Sequence, residues 1–151
     1  MRVLIATDGS DYSKAAIAES CRFVIQPDNT EIKVVSAFED ALPIAAEPFA
    51  ISAEYYQKID DAVHDQANAF ISEAEADIRT HFPGKDLKLT TEILRGSPDQ
   101  QIIEKAKEWN ADLIVVGSHG RGFWGRMLGS VSDGVVHHAP CSVLVVRKSS
   151  N

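Results

Sequence analysis

Residues 117–130 read GSHGRGFWGRMLGS, with glycines at 117, 120, 122, 125 and 129 and with His119, Arg121 and Arg126 between them. The chemistry this composition suits is the cradling of phosphate. Glycines let backbone N–H groups converge on an anion with no Cβ in the way, and a helix starting just beyond adds partial positive charge. No Asp or Glu occurs from Leu113 to Ser132, in a chain whose net charge is −7. The Gly117–Ser130 stretch is therefore a candidate phosphate cradle, with His119, Arg121 and Arg126 inside it. The stretch contains no Gly-Lys-Ser/Thr, so it is no Walker A loop. Nor is it the dinucleotide fingerprint, which belongs to the first strand–helix turn. Taken by themselves, these residues leave two readings open: a phosphate cradle, or a flexible loop with solvated arginines.

Asp8 is the second residue of chemical interest. It follows the apolar run Arg2–Thr7 and precedes Gly9-Ser10. A carboxylate there can face a crevice at the strand ends, or it can simply open a helix. No catalytic constellation stands out beyond these. Ser10 and Ser118 have no base that spacing assigns to them. A loop imidazole such as His119 can touch phosphate but more often bonds to backbone. His137-His138 suits a helix C-terminus, and His64 and His81 have no metal-ligand spacing. Cys21 and Cys141 sit among apolar neighbours without redox or metal spacing and read as small buried side chains.

The elements that must position these residues follow from periodicity. Arg2–Thr7, Ile32–Phe38, Leu87–Leu94, Asp112–Val116 and Cys141–Arg147 have the length and β-branched content of strands. Between the first two, Ala15, Ile17, Cys21, Val24 and Ile25 recur at helical spacing, with Ser10 as the N-cap. A longer helix carries Ile51, Tyr55, Ile59, Val63, Ala67, Phe70, Ala74 and Ile78 as its apolar stripe. Ser97-Pro98-Asp99-Gln100 opens a third helix ending near Asn110, and a short fourth starts at Ser130. Residues 39–50, with two prolines, read as a connecting loop. Alternating strands and helices predict an α/β fold in one domain over residues 1–151, an open five-stranded parallel sheet with helices on both faces. Ligands of such sheets lie beyond the carboxyl ends of the strands, where strand order reverses. If the first and fourth strands are neighbours there, Asp8 and the 117–130 loop face one crevice.

Composition narrows the class. At 151 residues, 44% hydrophobic and 25% charged, the chain can bury a sizeable core. Ten of its 22 acids fall within residues 39–80, against Lys58 and Arg79, and the remainder is nearly neutral. That reads as a solvated helix face and argues against a nucleic-acid surface. No apolar run reaches membrane-span length, and MRVLIATDGS turns polar too soon for a signal peptide, so the expected home is cytoplasmic.

With Asp8, the Gly96-Ser97-Pro98 turn and the GSHG…GSVSD…HAPCSVLVVR ending in place, the chain resembles the universal stress proteins, of the small single-domain type, over residues 2–147. In the nucleotide-binding branch of that family the loop reads G-x2-G-x9-G-S/T and wraps the phosphates of ATP. Gly117, Gly120, Gly129 and Ser130 match its fixed positions, with eight rather than nine residues between Gly120 and Gly129. The resemblance implies that Asp8, with Thr7 beside it, contacts the ribose or the metal–phosphate region. It implies that the backbone of Ala37 reads the adenine edge, and that Val116 and Val131 flank the ligand. It further implies a flavodoxin-like, Rossmann-like strand order 3-2-1-4-5 and a homodimer pairing strand 5 with its copy through Val143, Val145 and Arg147.

The expected function is thus an adenine-nucleotide-binding (ATP or AMP) stress-response module. At most it would show slow hydrolysis or self-phosphorylation at Ser130 or Ser132. The alternatives are an interaction-only homodimer of the same fold and a nucleotide-using enzyme. The last is disfavoured, because the chain has neither an SGGxDS-type pyrophosphate loop nor a substrate domain.

Overall fold

The computed structural model describes residues 1–39, 53–120 and 127–148. Its elements run β1 (Arg2–Ala6), α1 (Asp11–Phe23), β2 (Glu31–Phe38), α2 (Ala53–His81), β3 (Lys88–Arg95), α3 (Pro98–Trp109), β4 (Leu113–Gly117), α4 (Ser130–His138) and β5 (Ser142–Val146). All pairings are parallel, and the five strands lie in the order β3-β2-β1-β4-β5. This is the expected α/β sheet in the expected order.

Each face of the sheet carries its own core. Val3, Ile5, Val34 and Val115 pack with Ile17 of α1 and Ile78 of α2. Leu4, Val35 and Ile114, one register position away, pack with Ile103 of α3 and Val135 of α4. Successive side chains of a strand point to opposite faces, so strands covered on both sides must be apolar throughout. Val3, Leu4 and Ile5 are accordingly all fully buried.

The helix ends show why the chain stops where it does. Ser10 accepts from the Ser13 N–H and caps α1 as its type predicts. Asn110 ends α3 in the left-handed conformation, at φ 53°. Ser97 occupies the N-cap of α3 without capping it: its hydroxyl donates instead to Asp99 Oδ1 at 2.8 Å. The Ser97 proton is thereby taken by a side chain two residues ahead, a local bond of the kind serine and aspartate form at turns and helix starts.

The apolar stripe of α2 also departs from its expectation. Its buried residues are Ala67, Ile71, Ala74 and Ile78, while Tyr55 is 54% exposed and Phe70 only half-buried. Burial along this 29-residue helix is confined to its second half. Ile51 and most of the 39–50 segment lie outside the described residues. Cys21 is buried as expected, whereas Cys141 is half-buried at the approach to β5.

Strand order reverses between β1 and β4. Their carboxyl ends, with that of β2, open onto one crevice.

Candidate functional site

Three strand ends supply the floor of this crevice. At the end of β1, Thr7 is 5% exposed, and its hydroxyl donates to Ser13 Oγ at 3.2 Å. Asp8 Oδ1 accepts from the Ser10 N–H at 3.0 Å, which turns the carboxylate back over the start of α1. The turn depends on Gly9, whose φ of +72° is a left-handed value and whose missing Cβ leaves room for the Phe70 ring of α2. At the end of β2, Ala37 stands in register with Leu94 of β3. At the end of β4, Val116 is buried and Gly117 follows.

Gly117 has a packing role that spacing did not reveal. A Cβ there would stand 2.7 Å from the backbone carbon of Tyr12. Glycine is required because the first turn of α1 crosses directly over it. Beyond it, Ser118 is anchored on β5, its N–H donating to Val146 O at 2.8 Å. His119 is 8% exposed, with its ring 5.0 Å from that of Tyr12 and Nδ1 3.0 Å from the Ser118 hydroxyl. The neighbouring Ser118 side chain is thus one partner of this ring.

The loop returns at Gly129, whose N–H donates to Ser118 O at 2.9 Å and which forms the N-cap of α4. Ser130 is the exposed first residue of that helix. Ser132 is 2% exposed. Its hydroxyl lies 2.9 Å from both Ser118 O and Gly129 O, so its proton is committed to backbone. Of the two serines, only Ser130 faces outward.

Together these residues line a cavity of about 390 Å³, within the size range of small-molecule sites. Its lining includes the apolar residues Ala6, Ala37, Pro98, Ile102, Val116 and Val131. It also includes Thr7, Asp8, Ser13, Gly117, His119, Gly120, Gly129, Ser130 and Ser132. Nine sequence-predicted site residues, Thr7, Asp8, Ala37, Val116, Gly117, Gly120, Gly129, Ser130 and Val131, are thereby brought to one cavity. Arg121 lies outside the described residues. Pro98 and Ile102 were missed as lining residues because a helix start read from sequence says nothing about which strand end it overhangs. Ser13 was missed because a serine within an apolar stripe carries no ligand signal.

A lining of both apolar and polar groups is suited to a ligand with an apolar part and an anionic part. The α4 N-terminus and the Gly120 backbone favour negative charge. Asp8 is the carboxylate among the lining residues. One carboxylate fits a magnesium ion held mainly by water and phosphate oxygens, and would not suffice for an ion bound by protein alone. Consistent with that, the described residues contain no group of three or more His, Cys, Asp or Glu placed to hold a metal ion. No helix among them is long and apolar enough to cross a membrane.

The chain matches the model of the universal stress protein family over residues 1–147. A universal stress protein of Thermus aquaticus is 36% identical over 151 residues, covering 96% of this chain and 97% of its own. Among solved structures, the universal stress protein UspA from Lactobacillus plantarum superposes with a TM-score of 0.78 at 27% identity, covering 97% of each chain. A universal stress protein in complex with cAMP gives 0.69 at 24% identity, over 99% of this chain and 98% of its own. A family member from Arabidopsis thaliana with AMP bound gives 0.63 at 18%, over 99% and 93%. Matched along nearly its whole length by family model and relative alike, the chain belongs to the universal stress protein family.

Proposed function

We propose that this protein is an adenine-nucleotide-binding regulatory module. In this reading the base lies against Ala37, Ile102, Val116 and Val131, and the phosphates lie against Gly120, Gly129 and Ser130. The observation that carries it is a cavity at the strand ends lined both by apolar residues and by hydroxyl, glycine and helix-terminus groups. The structural neighbours solved with cAMP and AMP support the same ligand class.

ATP with Mg²⁺ is the finer version of the reading, with Asp8 beside the metal–phosphate region. Bound magnesium would neutralise phosphate charge; Asp8 would orient the hydrated ion or accept from the ribose. Any self-phosphorylation falls to Ser130, because the Ser132 hydroxyl is buried and held by backbone. The reading extends to a homodimer through β5, an edge strand whose Val143 and Val145 remain partly exposed, with Arg147 beyond its end. Sedimentation of Val145→Asp against the parent chain tests that pairing.

The decisive experiment begins with protein purified without added nucleotide. It is denatured, any released small molecule is identified, and the stripped chain is titrated with ATP–Mg²⁺ and AMP. Adenine nucleotide near one per chain, or micromolar binding lost in Gly129→Val, establishes the reading. No bound nucleotide and no heat up to millimolar ligand overturns it. The interaction-only dimer, favoured by the eight-residue spacing between Gly120 and Gly129, then takes its place.

A further inference from the structure

β4 ends at Gly117 and α4 begins at Ser130, and the described ends of the glycine loop meet at one carbonyl. Ser118 O accepts from the Gly129 N–H at 2.9 Å and lies 2.9 Å from Ser132 Oγ. Ser132 Oγ lies equally close to Gly129 O, which also accepts from the Asp133 N–H. One hydroxyl, 2% exposed, therefore touches the backbone on both sides of the loop's neck. The approach is close at the neck itself: a Cβ on Gly129 would stand 3.3 Å from His119 Cα and 3.7 Å from the Gly120 N. The Gly120 backbone thus lies close to Gly129, whose N–H converges with the Ser132 hydroxyl on Ser118 O.

We propose that Ser132 is a positioning residue: its hydroxyl staples the two ends of the glycine loop and so sets the Gly120 amide and the first N–H groups of α4 relative to phosphate, the Gly129 N–H being taken by Ser118 O. The ligand consequence rests on the nucleotide reading above; the staple itself does not. Removing the hydroxyl leaves two buried carbonyls sharing fewer donors and lets the neck open. The loss then falls on the phosphate contacts. The apolar lining is built by residues of β1, β2, β4, α3 and α4 that this hydroxyl does not touch.

The test uses the full chain and Ser132→Ala. Affinities for ATP–Mg²⁺, AMP and adenosine are measured in parallel, with amide exchange at Gly129 read by NMR in both proteins without ligand. The expected result is a loss of about tenfold for the phosphorylated ligands, adenosine affinity within about twofold, and faster Gly129 exchange. Equal losses for all three ligands would assign Ser132 a purely structural role and overturn the proposal, as would unchanged phosphate affinity. Should the parent chain bind no adenine nucleotide, the functional reading fails while the exchange data still judge the staple. Unaccelerated Gly129 exchange in Ser132→Ala refutes it. If Ser132→Ala does not fold, the parent chain decides: a Gly129 amide exchanging as fast as an unprotected one overturns the proposal.

Discussion

Asp8 lies directly against Gly120: a Cβ at position 120 would come within 2.9 Å of Asp8 Oδ2. Two residues 112 positions apart in the chain thus bring the acid at the end of β1 onto the backbone of the glycine loop. A phosphate seated at Gly120 would feel that carboxylate, and a divalent cation between the two would relieve the repulsion. Asp8→Ala is expected to weaken ATP–Mg²⁺ binding by about tenfold and to flatten the difference between titrations with and without Mg²⁺. Calorimetry in both conditions checks this. Unchanged affinity with Mg²⁺ present would remove Asp8 from the site.

The glycines should separate into two kinds. Gly117→Ala drives a methyl into the backbone of Tyr12, and its expected effect is on stability, about 1–3 kcal/mol, read from denaturant midpoints. Gly129→Val meets the His119 backbone at the loop neck, where an added Cβ already stands 3.3 Å from His119 Cα. Its expected effect is loss of nucleotide binding with the far-ultraviolet circular dichroism of the parent.

Glu92 bridges two lysines, with Lys105 Nζ 2.6 Å from Oε1 and Lys33 Nζ 3.0 Å from Oε2. Burial by itself would raise its pKa, but the hydrogen bonds and charges of Lys105 and Lys33 outweigh it and hold the carboxyl below its ordinary 4.5. A depressed carboxyl contributes stability that is complete above the unfolded value and disappears as pH falls through the folded one. Glu92→Gln is expected to cost about 2 kcal/mol at pH 7. The gap to the parent chain should close below pH 4.5, as urea midpoints across pH would show.

Burial, helped by the charge of Asp77, pushes the Cys21 thiol up to about 11. Thiol reagents at pH 8 should modify Cys21 about a hundredfold more slowly in the folded chain than in the denatured one. A raised thiol pKa gives stability that is full below the ordinary 9.0 and is lost as pH rises toward 11. Cys21→Ala should therefore lose less stability than the parent chain over that interval, measured by thermal unfolding.

Much of this was legible in residue order, for identifiable reasons. The apolar runs around Leu4, Val34 and Ile114 could only be strands covered on both faces. The glycine spacing with its acid-free surroundings marked the anion-binding part of the lining. The apolar part was less visible, because Pro98 and Ile102 reach it through the placement of α3 beside the end of β2, a three-dimensional fact. The α2 stripe drifted because helical spacing does not say which turns are covered: Tyr55 kept the period without the burial, and Asp60 and His64 meet Arg95 and Phe38 at the ends of β3 and β2. Gly117 was recognised as a glycine that matters and assigned to phosphate, when the nearer demand comes from α1. Ser132 looked like a nucleophile because its hydroxyl partners are backbone atoms, which carry no sequence signature.

The hydrogen bond from Ser118 N–H to Val146 O joins the carbonyl neck of the glycine loop to the last residue of β5 through a single residue. Whatever seats itself in the loop and whatever grips that outer strand therefore act on adjoining bonds. Thermodynamic reciprocity then fixes the relationship between them: if occupancy of the cavity strengthens attachment at the strand by some factor, attachment strengthens occupancy by the same factor.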